Sequence, residues 1–589
     1  MESFAEHLDI AIRAARAAGD LLRADFHRPL GPRGEGDKAP VDTEAEQRIR
    51  DILLGEGGEW GFLGEETGLI SGRSGAPTWV VDPNDGTRDY IKGRRGSSVS
   101  IALVWQRRPV LGVVHAFGYP DDRGPVYSAA IGRDGVFRDG APVEASLPDR
   151  LSELDLVLVS GGADRAARAN LQCARPARVM SIPSIAHRLA RVASGEASAT
   201  TSLYSPKTWD FAAGHCLILA AGGVILDQHG REPVYGDDGS GSSPRLFAGS
   251  RAVALELSTR DWDLAFRSER EASVPIVRLG RGQAVSDSSL LSRAQGALLG
   301  HFVGSALGVL FAGVEAKSAD LAAIAAAARP RRRSPGQLGP SGEMAVACAR
   351  SLLDLASDAR GLKRAYLAWL DSSPENPDRA VESALRSRPL GNDLSAAALA
   401  RVTPLTLWSH AADPAIAAAK ATEDAALTHP SRVAGEAAAI LGVVLHSLFR
   451  GADPAAAIAE AHAFARRSGH SPEAIAAVVE SSTSLKGARA AEDADALRVV
   501  RAGLFHLLRT PSFEDAIESA LALGPTADAL PAVIGALMGA RLGREGIPMR
   551  LRNLVLSCRP MEGLAARPRP PVYWATDAMA MAEALLTAR

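Results

Sequence analysis

The chain is predicted to hold two domains of different class, a layered α/β domain followed by an all-α domain. Three observations predict this. At 589 residues the chain is too long for one hydrophobic core. Through residue 265, helix-like and strand-like patterns alternate. From residue 289 the composition shifts to Ala, Leu and Gly with helical periodicity and no convincing strand. The boundaries read as 1–265, a charged and aperiodic linker at 266–288, and 289–589.

Composition narrows the class. The chain is 46% hydrophobic and 23% charged, with a net charge of -2. That is globular and gives no electrostatic footprint for nucleic acid. The 4 cysteines lie far apart in sequence, so neither a CxxC metal site nor a disulfide framework is suggested. Acids come early (Glu2, Glu6, Asp9) without an apolar run, so no signal peptide and a cytoplasmic location are expected. One stretch resembles a membrane span, Ala294 to Phe311, with Gly300, Gly304 and Gly308 at four-residue spacing. Gln295, His301 and Ser305 interrupt it, so a packed core helix is expected and no membrane partner.

Taken in order, Phe4, Leu8, Ile12, Ala15 and Leu22 share one helical face and predict a first amphipathic helix. A Gly/Pro-rich loop follows from Gly31 to Pro40. Asp42 or Thr43 is expected to cap a second helix through Leu53, which Gly55 to Gly58 end. Phe62-Leu63 form a short apolar run. Val99 to Val104 and Val110 to Phe117 read as a hairpin across Gln106 to Pro109. Val126 to Ala130 and Val136-Phe137 continue the sheet. Leu156 to Ser160 is a strand, Ile185 to Ala193 a helix, and Ala197 to Leu203 a strand. An apolar helix then runs from about Thr208 to Ala221, followed by a strand at Val224 to Leu226.

The chemistry gathers around Trp79-Val80-Val81-Asp82-Pro83-Asn84-Asp85-Gly86-Thr87. A buried strand ends and two carboxylates leave it three positions apart. Pro83 fixes the backbone between them and Gly86 permits a tight turn. Close carboxylates resist ionising together unless a cation lies between them, and hard oxygen ligands suit Mg²⁺. Taken alone, the stretch is equally an ordinary acidic turn. Two further acidic sites frame it: Gly64-Glu65-Glu66 before, and Trp209-Asp210-Phe211-Ala212-Ala213-Gly214 after. Asp210 stands at a helix start, where a cap or a phosphate-metal site both gain from the dipole.

These three motifs, in this order, resemble the inositol monophosphatase superfamily across residues 1–265. The resemblance implies an α-β-α-β-α sandwich and a phosphomonoesterase using two or three Mg²⁺ ions, with Li⁺ inhibition. It implies that Glu65, Asp82, Asp85 and Asp210 ligate metal, with the main-chain carbonyl of Asn84. Asp85, Gly86, Thr87 and Asp210 match the phosphate and substrate site. Glu46, Glu65 and Thr87 match catalytic positions. Thr87 orients the attacking water, and Glu46 takes the place of the acid paired with it, with Asp42 as the second candidate. The substrate class it implies is an inositol phosphate, a sugar phosphate or a 3′-phosphonucleotide. Ser181 to Ser184 and Lys207 are candidate pocket residues, with a structural role as the alternative.

From Leu290 onward the chain resembles the ADP-ribosylglycohydrolase family. The resemblance rests on Arg293-Ala294-Gln295-Gly296-Ala297-Leu298-Leu299-Gly300, Arg401-Val402-Thr403-Pro404-Leu405, Leu427-Thr428-His429-Pro430, Ile534 to Ala540 and Arg567-Pro568-Arg569-Pro570. It implies an all-α fold and two Mg²⁺ ions. Its acidic motifs are absent here: Gly339-Pro340-Ser341-Gly342 precedes Glu343-Met344, Ser305 replaces an expected Asp, and Gly524 to Ala529 keeps only Asp528. One carboxylate cannot hold two divalent ions, so this domain is expected not to catalyse. It is expected to regulate the phosphatase, to support a homodimer, or to bind ADP-ribose or a nucleotide, with His429 a candidate contact or a structural His. The alternative functions are an ADP-ribosyl-acceptor hydrolase and a nucleotide sensor.

Overall fold

The computed structural model describes residues 3–56, 59–267, 276–312, 320–354, 359–480, 495–522 and 528–588. They cluster into two compact units. One holds the described residues through Arg267 together with Leu279–Ser286; the other holds 276–278 and the described residues from Asp287 onward.

The first unit carries two sheets. Its strands are β1 (Gly61–Gly64), β2 (Gly68–Ile70), β3 (Thr78–Asp85), β4 (Ser98–Trp105), β5 (Arg108–His115), β6 (Val126–Ala130), β7 (Arg133–Arg138) and β8 (Ala141–Val143), then β9 (Leu156–Val159), β10 (Arg178–Ser181), β11 (Ala199–Ser202), β12 (Val224–Leu226) and β13 (Leu246–Gly249). The first eight form one sheet in the order β2-β1-β3-β4-β5-β6-β7-β8; the rest form a second, β10-β9-β11-β13-β12. Its helices are α1 (Leu8–Phe26), α2 (Pro40–Glu56), the single turn α3 (Thr87–Tyr90), α4 (Ala167–Ala174), α5 (Ile185–Ala193), α6 (Thr208–Ala220), α7 (Arg251–Ser258) and α8 (Leu264–Arg267).

Side-chain alternation explains the layering. Trp79, Val81, Val99, Ile101 and Leu103 join Leu8, Ala15, Leu22, Ile49 and Leu53 of α1 and α2 in one core. On the opposite face of the same sheet, Gly112 lies so close to α6 that a Cβ there would meet the Ala213 carbonyl at 2.3 Å. Beyond α5 and α6, β9, β10, β11 and β13 bury Val157, Val179, Ala199 and Phe247 with Cys173, Val253 and Leu257 of α4 and α7. The result is the α-β-α-β-α sandwich. Because β3 is buried on both faces, it reads as an unbroken apolar run before its acids. The hairpin β4–β5 turns on Gln106 (φ 49°) and Arg107 (φ 62°), the geometry of a two-residue turn that matches strand twist.

Several elements carry no strong periodic signal: β8, β10, β13, α4, α7 and α8. The charged stretch after Ser258 is part of the first unit through Arg267. Trp262 is fully buried with its ring 6.2 Å from Phe247. Part of the expected linker also folds back, since Arg95 donates to the Val285 carbonyl at 2.8 Å. Residues 268–275 of that linker lie outside the described residues. Asp42 is not a cap, because α2 begins at Pro40.

The second unit is helical, with no strand among its described residues. It opens with α9 (Ser288–Phe311), α10 (Leu321–Arg331) and α11 (Pro340–Leu353). The glycines of α9 form a seam against the helix Ala529–Leu542. A Cβ on Gly300 would stand 2.0 Å from the Gly535 carbonyl, one on Gly296 2.2 Å from that of Gly539, and one on Gly304 1.9 Å from that of Pro531. Only glycine permits this approach. α9 and the helix Arg432–Phe449 are long and apolar enough to cross a membrane, but both are buried, 94% and 89%, within the fold. They are core helices.

Candidate active site

Parallel pairing sets the first contact. β1 runs beside β3 with Gly64 opposite Val81, so Glu65 and Asp82 leave the sheet side by side. The Glu65 amide donates to the Val81 carbonyl at 3.1 Å, continuing the ladder by one residue. On the other side of β3, pairing with β4 shifts register between Asp82 and Asp85. Such an irregularity ends the ladder and redirects side chains. Gly86 follows at φ 106°, and Thr87 opens α3.

Asp210 arrives from α6. It is the third residue of that helix rather than its cap; Lys207 occupies the cap position, and the Lys207 amide donates to Asp210 Oδ2 at 2.7 Å. Ser100 of β4, opposite Asp82, donates to the Trp209 carbonyl at 2.8 Å and ties the start of α6 to the sheet. Asp82, Asp85 and Asp210 thereby each offer a carboxylate oxygen within 4.8 Å of the others. The Glu65 carboxyl lies within hydrogen-bond reach of Asp82. All four sequence-predicted acids are therefore brought together.

Asp85 is held most firmly. Its Oδ2 accepts from Ser184 Oγ and from the Ala186 amide, both at 2.7 Å. Ser184 caps α5, accepting from the His187 amide at 2.9 Å, so one hydroxyl joins the helix start to the acid. The segment Ser181 to Ser184 was a candidate pocket lining; its Ser184 is instead a support for Asp85.

Burial, followed by Glu65, Asp85 and Asp210, raises the Asp82 carboxyl well above the usual range. Burial, then Asp85, raises Asp210 in the same direction. Asp85 is raised by burial against the opposing pull of Ser184 and Ala186. Burial, with Asp85, Glu66 and Glu46 adding, pushes Glu65 up to about 7. Four acids that resist ionising together form a site whose charge is unbalanced without cations. That donor set fits a hard divalent ion.

Thr87 has a different partner from the expected one. Its hydroxyl stands 3.0 Å from Asp42 Oδ2 and 2.8 Å from the Asn84 carbonyl. Asp42 Oδ1 accepts from Asn84 Nδ2 at 2.9 Å. Burial pushes Asp42 up to about 7, opposed by the hydrogen bonds from Asn84 and Thr87. Glu46 bonds elsewhere. It accepts from the Glu66 and Thr67 amides at 2.9 and 2.7 Å and from the Thr67 hydroxyl at 2.5 Å. Its carboxylate lies over Gly64, where a Cβ would come within 2.3 Å. Glu46 thus holds the turn that carries Glu65, and Asp42 is the acid at Thr87. The two stand one helical turn apart on α2, so spacing alone did not separate them.

In the second unit, the residues that replace expected acids also converge. Asp528 Oδ2 accepts from Ser305 Oγ at 2.6 Å and the Ser341 amide at 2.9 Å, and Oδ1 accepts from Ser341 Oγ at 2.9 Å. Ser305 Oγ in turn accepts from the Gly339 and Gly342 amides at 3.1 and 3.0 Å. Residues 524–527 of that motif lie outside the described residues. Glu343 is clamped by Arg569 through two contacts of 2.8 Å. His429 is buried between Thr428 Oγ1 at 2.9 Å and Ser395 Oγ at 3.1 Å, the surroundings of a structural His.

Comparison with known proteins agrees with both halves. Residues 4–265 match the profile described as inositol monophosphatase family. Residues 286–583 match the one described as ADP-ribosylglycohydrolase. Inositol monophosphatase 2 of Solanum lycopersicum is 30% identical over 243 residues, covering 38% of this chain and 89% of that protein. The 3′(2′),5′-bisphosphate nucleotidase CysQ of Escherichia coli is 31% identical over 236 residues, covering 39% and 93%. Among solved structures, the extragenic suppressor protein suhB of Bartonella henselae is 26% identical, covering 42% and 96%, with a TM-score of 0.35.

Proposed function

The chain belongs to the inositol monophosphatase family through residues 4–265 and to the ADP-ribosylglycohydrolase family through residues 286–583, and on that premise we propose a Mg²⁺-dependent phosphatase of a small-molecule phosphomonoester whose second unit is a non-catalytic accessory. The observation that carries this reading is the meeting of Glu65, Asp82, Asp85 and Asp210 from three separate chain segments. These acids, with the Asn84 carbonyl, would hold the ions. Bound divalent cations offset phosphoryl charge and stabilise the leaving oxygen.

The protein's own groups do the rest. Gly86 and Thr87 place main-chain amides at the start of α3, where a phosphoryl oxygen gains hydrogen bonds. The Thr87 hydroxyl, held by Asp42 and the Asn84 carbonyl, orients the attacking water. Asp42, raised to about 7, accepts the proton as water attacks. Glu46 acts through the Glu66–Thr67 turn as a positioning residue for Glu65. The substrate belongs to the inositol phosphates, sugar phosphates or 3′-phosphonucleotides.

In the second unit, Asp528 is saturated by three donors from two serines. Such a carboxylate neither neutralises two cations nor fills their shells, which supports a non-catalytic role. The test is phosphate release over a metabolite panel with Mg²⁺. Asp85→Asn is expected to lower turnover by roughly 10²–10³-fold, the loss typical of removing one group aimed at developing charge. Near-normal activity in that variant, with circular dichroism unchanged, refutes the assignment. Li⁺ is expected to inhibit.

A further inference from the structure

The chain between the two matched stretches packs beside the phosphatase site. Residues 279–285 lie outside both stretches, so neither family accounts for what they do. Leu279–Ser286 is nevertheless part of the first unit. It lies across the loop that leads from α1 into α2. A Cβ on Gly31 would stand 2.7 Å from the Arg281 Cβ, and one on Gly282 would stand 2.4 Å from the Pro29 carbonyl. Both glycines have positive φ, 77° and 76°, which a side chain would strain. Gly93, just past α3, closes in from the other side: a Cβ there would be 3.3 Å from the Arg281 Cα. The Arg281 guanidinium donates to the Pro32 carbonyl. Further along, Arg95 donates to the Val285 carbonyl at 2.8 Å while binding Asp122 at 2.7 Å. Leu279 is buried, and Ala284 packs against the core of α1 and α2.

The loop under this segment is tied to the pair formed by Asp42 and Thr87. Arg33, next to Pro32, donates to both oxygens of Glu44 at 2.8 and 2.9 Å. Glu44 follows Asp42 on α2. The Arg33 amide donates to Asp25 Oδ2 at 3.0 Å, and the same oxygen accepts from the Tyr90 hydroxyl at 3.2 Å. Tyr90 ends α3, which Thr87 opens. Asp37, at the far end of the loop, pairs with Arg88 of α3 at 3.2 Å. That last pair is exposed and contributes little in water; the two-point Arg33 contact and the buried Asp25 carboxylate are the firmer ties. The loop thus joins both helices that bring Asp42 Oδ2 and the Thr87 hydroxyl to 3.0 Å.

We propose that Leu279–Ser286 is a strap that completes the phosphatase site, with Arg281 and Arg33 as positioning residues for Asp42 and Thr87. This rests on the phosphatase function proposed above. The strap pins Pro29 to Pro32 against Gly93, and that fixes the starts of α2 and α3 relative to each other. Without it, Asp42 moves with respect to Thr87, and a small misplacement of that pair costs turnover steeply. Glu65, Asp82, Asp85 and Asp210 are held from β1, β3, α5 and α6, so ion binding does not depend on the strap. Its last residue adjoins Asp287, the cap of α9, so the segment that completes the first unit's site is continuous with the second unit's opening helix.

The test compares the full-length protein with Gly282→Val, which forces the strap off Pro29, and with the milder Arg281→Ala. Both positions are exposed, so each variant is expected to fold, and Arg281→Ala carries the test if Gly282→Val does not. Hydrogen exchange of the amides from Gly31 to Glu44 is expected to quicken in both. Turnover of inositol monophosphate, fructose bisphosphate and adenosine 3′,5′-bisphosphate is measured in saturating Mg²⁺. In Gly282→Val, kcat is expected to fall about tenfold with KM changed by less than about twofold. In an Asp42→Asn background the same change is expected to cost nothing further, because the strap acts through Asp42. Unchanged exchange overturns the proposal, and so does quicker exchange with kcat kept. A loss confined to KM, or one that multiplies with that of Asp42→Asn, overturns it as well. If the unmodified protein turns over none of the three substrates, the phosphatase reading falls and takes the strap's role with it. Turnover present but indifferent to the strap removes this proposal alone.

Discussion

Asp42 and Glu46 divide two tasks along one helix face, and substitution separates them. Asp42→Asn keeps the size of the side chain and is expected to lower turnover by about 10²-fold without lowering the melting temperature. Glu46→Ala strands the Glu66 and Thr67 amides and is expected to cost roughly 1–3 kcal/mol, read as a fall of several degrees in melting temperature. If Glu46→Ala instead lowers turnover with no thermal effect, the division is reversed. Titration belongs to this scale too. Asp42 and Glu65 stand at about 7, above the usual 4 or so of unfolded carboxyls. The folded state then binds more protons between about pH 4 and 7, so stability without cations falls as pH rises through that window. Melting in EDTA should be higher at pH 5 than at pH 8, and Mg²⁺ should narrow the gap. The four clustered acids were legible because each lies at a recognisable strand or helix boundary. Asp42 and Ser184 were not, because their roles depend on which side chain a tertiary neighbour meets.

Elements are joined here by backbone proximity as much as by side chains. In the seam between α9 and the helix Ala529–Leu542, a methyl group at Gly304 meets a carbonyl at 1.9 Å that cannot rotate away. Gly304→Ala is expected to destabilise the second unit by about 1–3 kcal/mol, the usual cost of overpacking. An unchanged thermal profile would remove the seam as a source of stability. The four-residue glycine spacing was visible in the sequence, but it fits a membrane pair and a soluble core equally. Only the partner helix, with Gly535 and Gly539 opposite, resolves it. Short strands such as β10 and β13 were illegible for a related reason. All four residues of β13 are buried and β10 buries its middle two, so neither carries an alternation to detect.

At the scale of the whole molecule, the two units have separate cores, which predicts two calorimetric transitions. Mg²⁺ is expected to raise only the one that Asp85→Asn renders insensitive to the ion. A single transition raised by Mg²⁺ as a whole would show that the units unfold together. The change of fold class near residue 289 was plain from composition. The exact join was not, since Trp262 and Val285 act through distant partners that a local window misses. The glycine seam also bears on the Asp528 cluster. Gly308 of α9 packs on Asp528, and the main chains on either side are set by contacts no side chain negotiates. With the two helices fixed by main-chain contact, Ser305 and Ser341 hold Asp528 without having to hold the helices together.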